Sequence, residues 1–254
     1  MAQWGWMKTD SSILIVGAVF QEIAPIIEKL YNVQKISIGN RHIFCGTLFN
    51  QSLVIVQSGI GMLNAVQAVT AVIEKIPVHL IINTGCAGAF PNSGISIGDI
   101  GIATKETDIH FGIEGDSPEN PVEQLSIPVI QTACARYYGS YPVSEHYYKM
   151  AHDILSKEFI SKNIVVKLLP FITVSTITTS VQRINSLFNS YHAGMENMEG
   201  AGIAHVALHY NKPFLEIRAA SNIVGERDKG KWKMTEAFER STSSVLLLLK
   251  AFHI

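Results

Sequence analysis

Three uninterrupted apolar runs, each of strand length and each ending in glycine or other small residues, constrain this fold most. Ile13, Leu14, Ile15 and Val16 run into Gly17; Val54, Ile55 and Val56 lead to Ser58, Gly59, Ile60 and Gly61; Leu80, Ile81 and Ile82 lead through Asn83 into Thr84, Gly85, Cys86, Ala87 and Gly88. A strand with one wet face alternates apolar and polar residues, so a run apolar at every position is covered on both faces. The glycines at the ends let backbone approach a ligand.

Helical spacing appears between these runs. Ile23, Ile26, Ile27 and Leu30 place a helix over 21–31, and similar periods predict helices over 62–76, 144–159, 199–209 and 232–252. Further strands are predicted over 165–175 and 214–219, and the stretch 34–57, broken at Gly39-Asn40 and Asn50-Gln51, reads as antiparallel strands joined by tight turns. Residues 105–128 are rich in Asp, Glu, Gly and Pro without a period, which suggests a long functional loop or lid. Strand–helix alternation gives an α/β fold: one domain over 1–254, with a mixed central β-sheet flanked by helices.

Composition narrows the class. With 47% hydrophobic and 16% charged residues the chain can bury a large core, and 20 basic against 21 acidic residues leave no field to draw nucleic-acid phosphates or a membrane surface. Cys45, Cys86 and Cys134 have neither zinc spacing nor a disulfide framework, so no metal and a reducing cytoplasm are expected. The first ten residues and the run 13–20, interrupted by Gly17, predict neither a signal peptide nor a membrane span, and 245–249 is too short to cross one.

Individual chemical signals have ordinary readings. The Ser58–Gly61 turn sits where a dinucleotide fingerprint would, but Asn64 occupies the third glycine position and the acidic partner is missing, which argues against NAD or FAD. His205 and His209 lie four apart, yet Val206 stands where a zinc protease needs Glu, so packing or surface roles are expected. Cys86 has no neighbouring base, and Glu22 could simply complement a helix dipole. The informative group is Met198 and Glu199 with Arg218 and Asn222, a helix start and a strand end able to meet at one sheet edge. Taken singly, Glu199 could cap, Arg218 could pair and Asn222 could turn the chain.

In order along the chain, Gly17 to Glu22, Ser58 to Gly61, Asn83 to Gly88, Glu196 to Val206 and Pro213 to Asn222 resemble the nucleoside phosphorylase/nucleosidase superfamily. Within it they are most similar to the methylthioadenosine/S-adenosylhomocysteine nucleosidases and the related futalosine hydrolases. The resemblance implies a nucleoside phosphorylase-like fold, a homo-oligomer (dimer or larger), a small-molecule nucleoside substrate and no cofactor. It assigns Glu22 to activating water, Glu199 to the ribose hydroxyls, Met198 to the sugar's apolar face, Arg218 to orienting Glu22 and keeping it ionised, and Asn222 to the purine.

Three departures refine it. Phosphorylases of this superfamily hold phosphate with arginines, where this chain has Val19, Phe20 and Gln21 in one loop and Asn83 in another, so water is the expected nucleophile. Cys86 replaces a serine that helps hold that water in the nucleosidases. Adenine-specific members have Asp where Asn222 stands; an amide can donate to a 6-oxo group and accept from the adjacent ring N–H. With Arg227, Asp228 and Trp232 following, the implied reaction is hydrolysis of futalosine to hypoxanthine and dehypoxanthine futalosine, in menaquinone biosynthesis. The alternatives are methylthioadenosine/S-adenosylhomocysteine or aminodeoxyfutalosine cleavage.

Overall fold

The computed structural model describes residues 11–117 and 120–252; the first ten residues, and the leader expectation resting on them, lie outside it. The strands are β1 (Ser12–Gly17), β2 (Tyr31–Ile38), β3 (Arg41–Leu48), β4 (Gln51–Gln57), β5 (Val78–Ala89), β6 (Ile100–Asp108), β7 (Ile113–Ser117), β8 (Asn120–Glu123), β9 (Ile130–Gln131), β10 (Arg136–Tyr137), β11 (Ser140–Pro142), β12 (Val166–Thr173), β13 (Met195–Asn197) and β14 (Phe214–Ile223). The helices are α1 (Ala24–Ile27), α2 (Met62–Ile73), α3 (Glu145–Phe159), α4 (Val181–Tyr191), α5 (Gly200–His209) and α6 (Met234–Ala251).

Ten strands form one mixed sheet in the order β11-β6-β12-β13-β5-β1-β4-β3-β2, with β14 bridging β5 and β6. That bridge closes β6, β12, β13, β5 and β14 into a ring: β14 runs parallel to β5 and antiparallel to β6. The rest is an open sheet, with β1 parallel to both β4 and β5.

The apolar runs behave as strands covered on both faces. Leu14, Val16, Val54, Val56 and Ile81 pack with Ala65, Val69, Val72 and Ile203 of α2 and α5 on one side. Ile13, Ile15, Leu53, Ile55, Leu80 and Ile82 pack with Leu155, Val245 and Leu248 of α3 and α6 on the other. Ile15 is fully buried at the centre, so Ile15→Ala should cost about 2–5 kcal/mol, measured by urea unfolding; a loss below about 1 kcal/mol would show that the site collapses freely.

The antiparallel pairing expected across 34–57 is present as β2-β3-β4. Two expectations are corrected. Residues 21–31 are not one helix: a 3₁₀ turn over Phe20–Glu22 is followed by the four-residue α1, and the chain enters β2 at Tyr31. Ile23, Ile26 and Leu30 are buried as the period required, but residues 31–38 gain a ladder with β3 that a longer helix would forfeit. Residues 105–128 are not one loop: β6 runs to Asp108, and β7 pairs β8 as a separate hairpin. Neither face of β7 is deeply buried, so its sequence carried no period-2 signal.

Among the described residues, no helix is long and apolar enough to cross a membrane, and no group of three or more His, Cys, Asp or Glu could hold a metal ion. His205 is placed against Tyr141, with Nδ1 3.1 Å from the phenol oxygen.

Candidate active site

The carboxyl end of the sheet opens into a cavity lined by Glu22, Cys86, Met198, Glu199, Arg218 and Asn222, all six residues singled out in the sequence. Val174, Ile177, Glu196, Ser221, Trp232 and Met234 also contribute to its wall.

Glu22 is 2% exposed. It ends the 3₁₀ turn after β1, so its carboxylate folds back over the strand end: Oε2 accepts the N–H groups of Ala18 (2.7 Å) and Val19 (3.1 Å), and Oε1 accepts that of Cys86 (3.0 Å). The Thr242 hydroxyl of α6 donates to the Glu22 carbonyl at 3.2 Å, fixing the turn from behind. Burial raises the pKa of Glu22, and this outweighs the lowering by Arg218 and by the Val19 and Cys86 N–H groups. The charge of Arg218 favours ionised Glu22, as expected, but burial outweighs it and no Arg218–Glu22 hydrogen bond forms among the described residues.

Arg218 instead spans three acceptors. Nε donates to Glu216 Oε1 (2.9 Å), one terminal nitrogen to Glu199 Oε2 (3.3 Å) and the other to the Cys86 carbonyl (3.2 Å). It is 1% exposed; neutralising such a charge requires carboxylates this close. Glu216 also accepts from Asn83 at 2.8 Å, which gives Asn83 a structural duty at the phosphorylase arginine's position. Glu106 lies beside Glu216 within the strand ring, and burial plus the charge of Glu216 push it well above the usual carboxylate range.

Glu199 occupies the N-cap position of α5, but its side chain makes no cap bond. Asn197 does that work, its Oδ1 accepting from the N–H groups of Glu199 (2.9 Å) and Gly200 (2.7 Å). The Glu199 carboxylate is thereby left for the cavity, with Oε1 held by the Gly61 N–H at 3.0 Å. The second glycine turn thus positions a carboxylate rather than a dinucleotide phosphate.

Cys86 contributes through its backbone, its N–H donating to Glu22 and its carbonyl accepting from Arg218. Burial and the nearby Glu22 push its thiol up to about 12, which disfavours the thiolate. Asn222 is 4% exposed on β14 and lines the cavity; its Oδ1 accepts the Ser221 hydroxyl at 2.8 Å, and its amide nitrogen donates to the Ile223 carbonyl at 3.2 Å.

Ser221, Asn197 and Glu196 escaped the sequence reading because each serves a neighbour or lies on a three-residue strand too short to show a period. Their proximity to Met198 and Asn222 was the available signal. Trp232 lines the cavity while its indole N–H donates to the Glu226 carbonyl at 3.1 Å.

Gly85 shows how tightly the centre is built: a Cβ there would lie 2.1 Å from Glu22 Oε1 and 3.0 Å from an Arg218 nitrogen. Gly85→Ala should displace Glu22 and lower kcat by roughly 10²-fold, the scale of a 1 Å misplacement. A steady-state assay showing under threefold loss would refute this.

Over residues 12–252 the sequence matches the Phosphorylase superfamily. The chain belongs to that superfamily. It is 30% identical to the 5'-methylthioadenosine/S-adenosylhomocysteine nucleosidase of Oceanobacillus iheyensis, over 85% of this chain and 87% of that one. It is 29% identical to the futalosine hydrolase of Thermus thermophilus, over 77% of this chain and 80% of that one. In fold it is similar to the native structure of futalosine hydrolase from Helicobacter pylori strain 26695, with a TM-score of 0.81, 20% identity and coverage of 95% and 98% of the two chains. The expected nucleoside phosphorylase-like α/β fold is therefore observed.

Proposed function

We propose that this protein is a purine nucleosidase that hydrolyses the N-glycosidic bond of futalosine, releasing hypoxanthine. Asn222 carries the choice of base. It presents an amide where a 6-oxopurine offers a carbonyl oxygen, and its Oδ1 is already engaged by Ser221. The likeness to a futalosine hydrolase supports the same choice, while the likeness to methylthioadenosine/S-adenosylhomocysteine nucleosidases keeps adenine-type cleavage as the second reading.

Hydrolysis rather than phosphorolysis follows from the cavity's charge. Arg218 is the sole cation among the described lining residues and is committed to Glu216 and Glu199, whereas Glu22, Glu196 and Glu199 supply three carboxylates. A phosphate dianion would enter against them.

Breaking the ribosyl bond builds positive charge on the sugar and negative charge on the base. Glu199 accepts from the ribose hydroxyls, with Met198 against the sugar's apolar face. Glu22 takes a proton from water as the water oxygen bonds to the anomeric carbon; the C–N electron pair leaves with the purine, which takes up a proton from solvent to give the free base, and Glu22 later returns its own proton to solvent. Arg218 holds Glu199 and the Cys86 carbonyl in place. A homo-oligomer and a cytoplasmic setting belong to this proposal, and light scattering tests the former.

Chromatography of futalosine incubated with the purified protein, with and without phosphate, should show hypoxanthine at equal rates. No release at high enzyme concentration would refute the assignment, and a phosphate requirement would make the protein a phosphorylase.

A further inference from the structure

Asn64 stands where a dinucleotide-binding turn would carry its third glycine, and its side chain does something a glycine could not. It lies in the first turn of α2, and its Nδ2 reaches back to donate to the Ile60 carbonyl at 2.8 Å. The Gly61 N–H, which holds Glu199 Oε1 at 3.0 Å, belongs to the same peptide unit. In a planar trans peptide the carbonyl and the N–H point in opposite directions. A donor on the Ile60 oxygen therefore aims the Gly61 N–H at Glu199.

Packing does little to hold this peptide. Ile60 is 59% exposed, Gly61 has φ +97°, and a Cβ added to Gly61 would meet nothing within 4 Å. A glycine with open space beside it can rotate its peptide, and a rotated one would turn the Ile60 oxygen towards the Glu199 carboxylate. Hydrogen bonds thus set the orientation. The Asn64 amide is itself oriented: its Oδ1 accepts from a terminal nitrogen of Arg41 at 3.1 Å, which leaves Nδ2 for Ile60. Arg41, on β3, also donates to the Ser58 carbonyl and to Gln67 Oε1, and Gln67 Nε2 ties back to the Gly39 carbonyl at 3.1 Å. The β2–β3 hairpin thereby braces the outer side of the turn whose N–H serves the cavity.

The other restraint on the Glu199 carboxylate among the described residues is Arg218, which donates to Oε2 at 3.3 Å. Without the Gly61 N–H the carboxylate would be free to swing towards that cation and away from a sugar. We propose that Asn64 is a positioning residue for riboside cleavage: oriented by Arg41, it holds the Ile60–Gly61 peptide so that Glu199 is set to accept the ribose hydroxyls. This rests on the assignment of Glu199 to those hydroxyls under the proposed function. Asn64 acts through the peptide and not on the sugar itself.

The test is steady-state turnover of futalosine and 2′-deoxyfutalosine by the wild type, Asn64→Ala and Asn64→Asp, with hypoxanthine binding to each measured by calorimetry. Asn64→Asp is the sharper variant, because it keeps the shape and still accepts from Arg41 but cannot donate to the Ile60 carbonyl. Both variants should lose about 10–10²-fold in kcat/KM for futalosine, approaching the scale of a 1 Å misplacement. The ratio of riboside to deoxyriboside kcat/KM should fall about tenfold, the worth of a hydrogen bond to a charged group. Hypoxanthine carries no sugar, so its binding should stay within about threefold of the wild type and show that the variants are folded. Full riboside activity in Asn64→Asp would overturn the proposal. So would a loss that strikes riboside and deoxyriboside alike, which marks a general structural role. A wild type that turns over both equally well would instead remove the assignment of Glu199 to the ribose hydroxyls, and this inference with it. The comparison does not depend on the base: should futalosine fail as a substrate, methylthioadenosine and its 2′-deoxy analogue give the same ratios, and turnover of neither would remove the nucleosidase reading itself.

Discussion

Glu22→Gln is expected to lower kcat by about 10²–10⁴-fold, the usual contribution of a positioned general base, while the protein still binds free purine. An amide cannot take the proton from water, and its NH₂ must face one of the backbone N–H groups now serving the carboxylate. Stability should therefore fall as well, by about 1–3 kcal/mol, so circular dichroism and purine binding are needed to show that the variant is folded. In the wild type, kcat/KM should decline as pH drops through the raised pKa of Glu22, because only the ionised form accepts a proton. That acid limb should vanish in the variant. The same upward shift makes protonation of Glu22 favour the folded state, a contribution that is lost as pH rises from the ordinary 4.5 through the raised value. Retention of more than a tenth of wild-type kcat would exclude Glu22 as the base.

The second large effect concerns the base. Asn222→Asp should move preference from hypoxanthine towards adenine nucleosides by about 10²–10⁴-fold in relative kcat/KM, within the range reached by sites that read hydrogen-bond patterns. The amide nitrogen that meets O6 becomes an oxygen. When ionised it repels O6, and it accepts from an exocyclic amine instead. Ser221 can still donate to the other oxygen, so the side chain should keep its orientation. An unchanged ratio of futalosine to methylthioadenosine turnover in Asn222→Asp would show that this position does not choose the base.

Much of the architecture was legible because burial on both faces leaves an unbroken apolar trace. Residues 13–16 and 80–82 show it, and their strands lie at the centre of the sheet. The errors occurred where tertiary pairing overrode a local pattern. Ile23, Ile26 and Leu30 are spaced as on a helix and buried as on a helix, yet the pairing of β2 with β3 claims the chain from Tyr31 onward. The hairpin of β7 and β8 left no trace because it buries little.

The site was legible in its membership and not in its wiring. Family-type motifs brought Glu22, Glu199, Arg218 and Asn222 into one cavity. No spacing could show that Asn197 would cap α5 and release Glu199, or that Arg218 would be held by Glu216 rather than by Glu22.

The strand ring also bears on how the protein reaches its native state. Its closure joins residues 81–89 of β5 to 214–223 of β14, and the cavity bonds from Gly61 to Glu199 and from Thr242 to Glu22 span 138 and 220 positions. Such distant pairings form slowly compared with helices. During refolding from denaturant, helical signal should therefore return before turnover does, with catalytic competence arriving in the last kinetic phase.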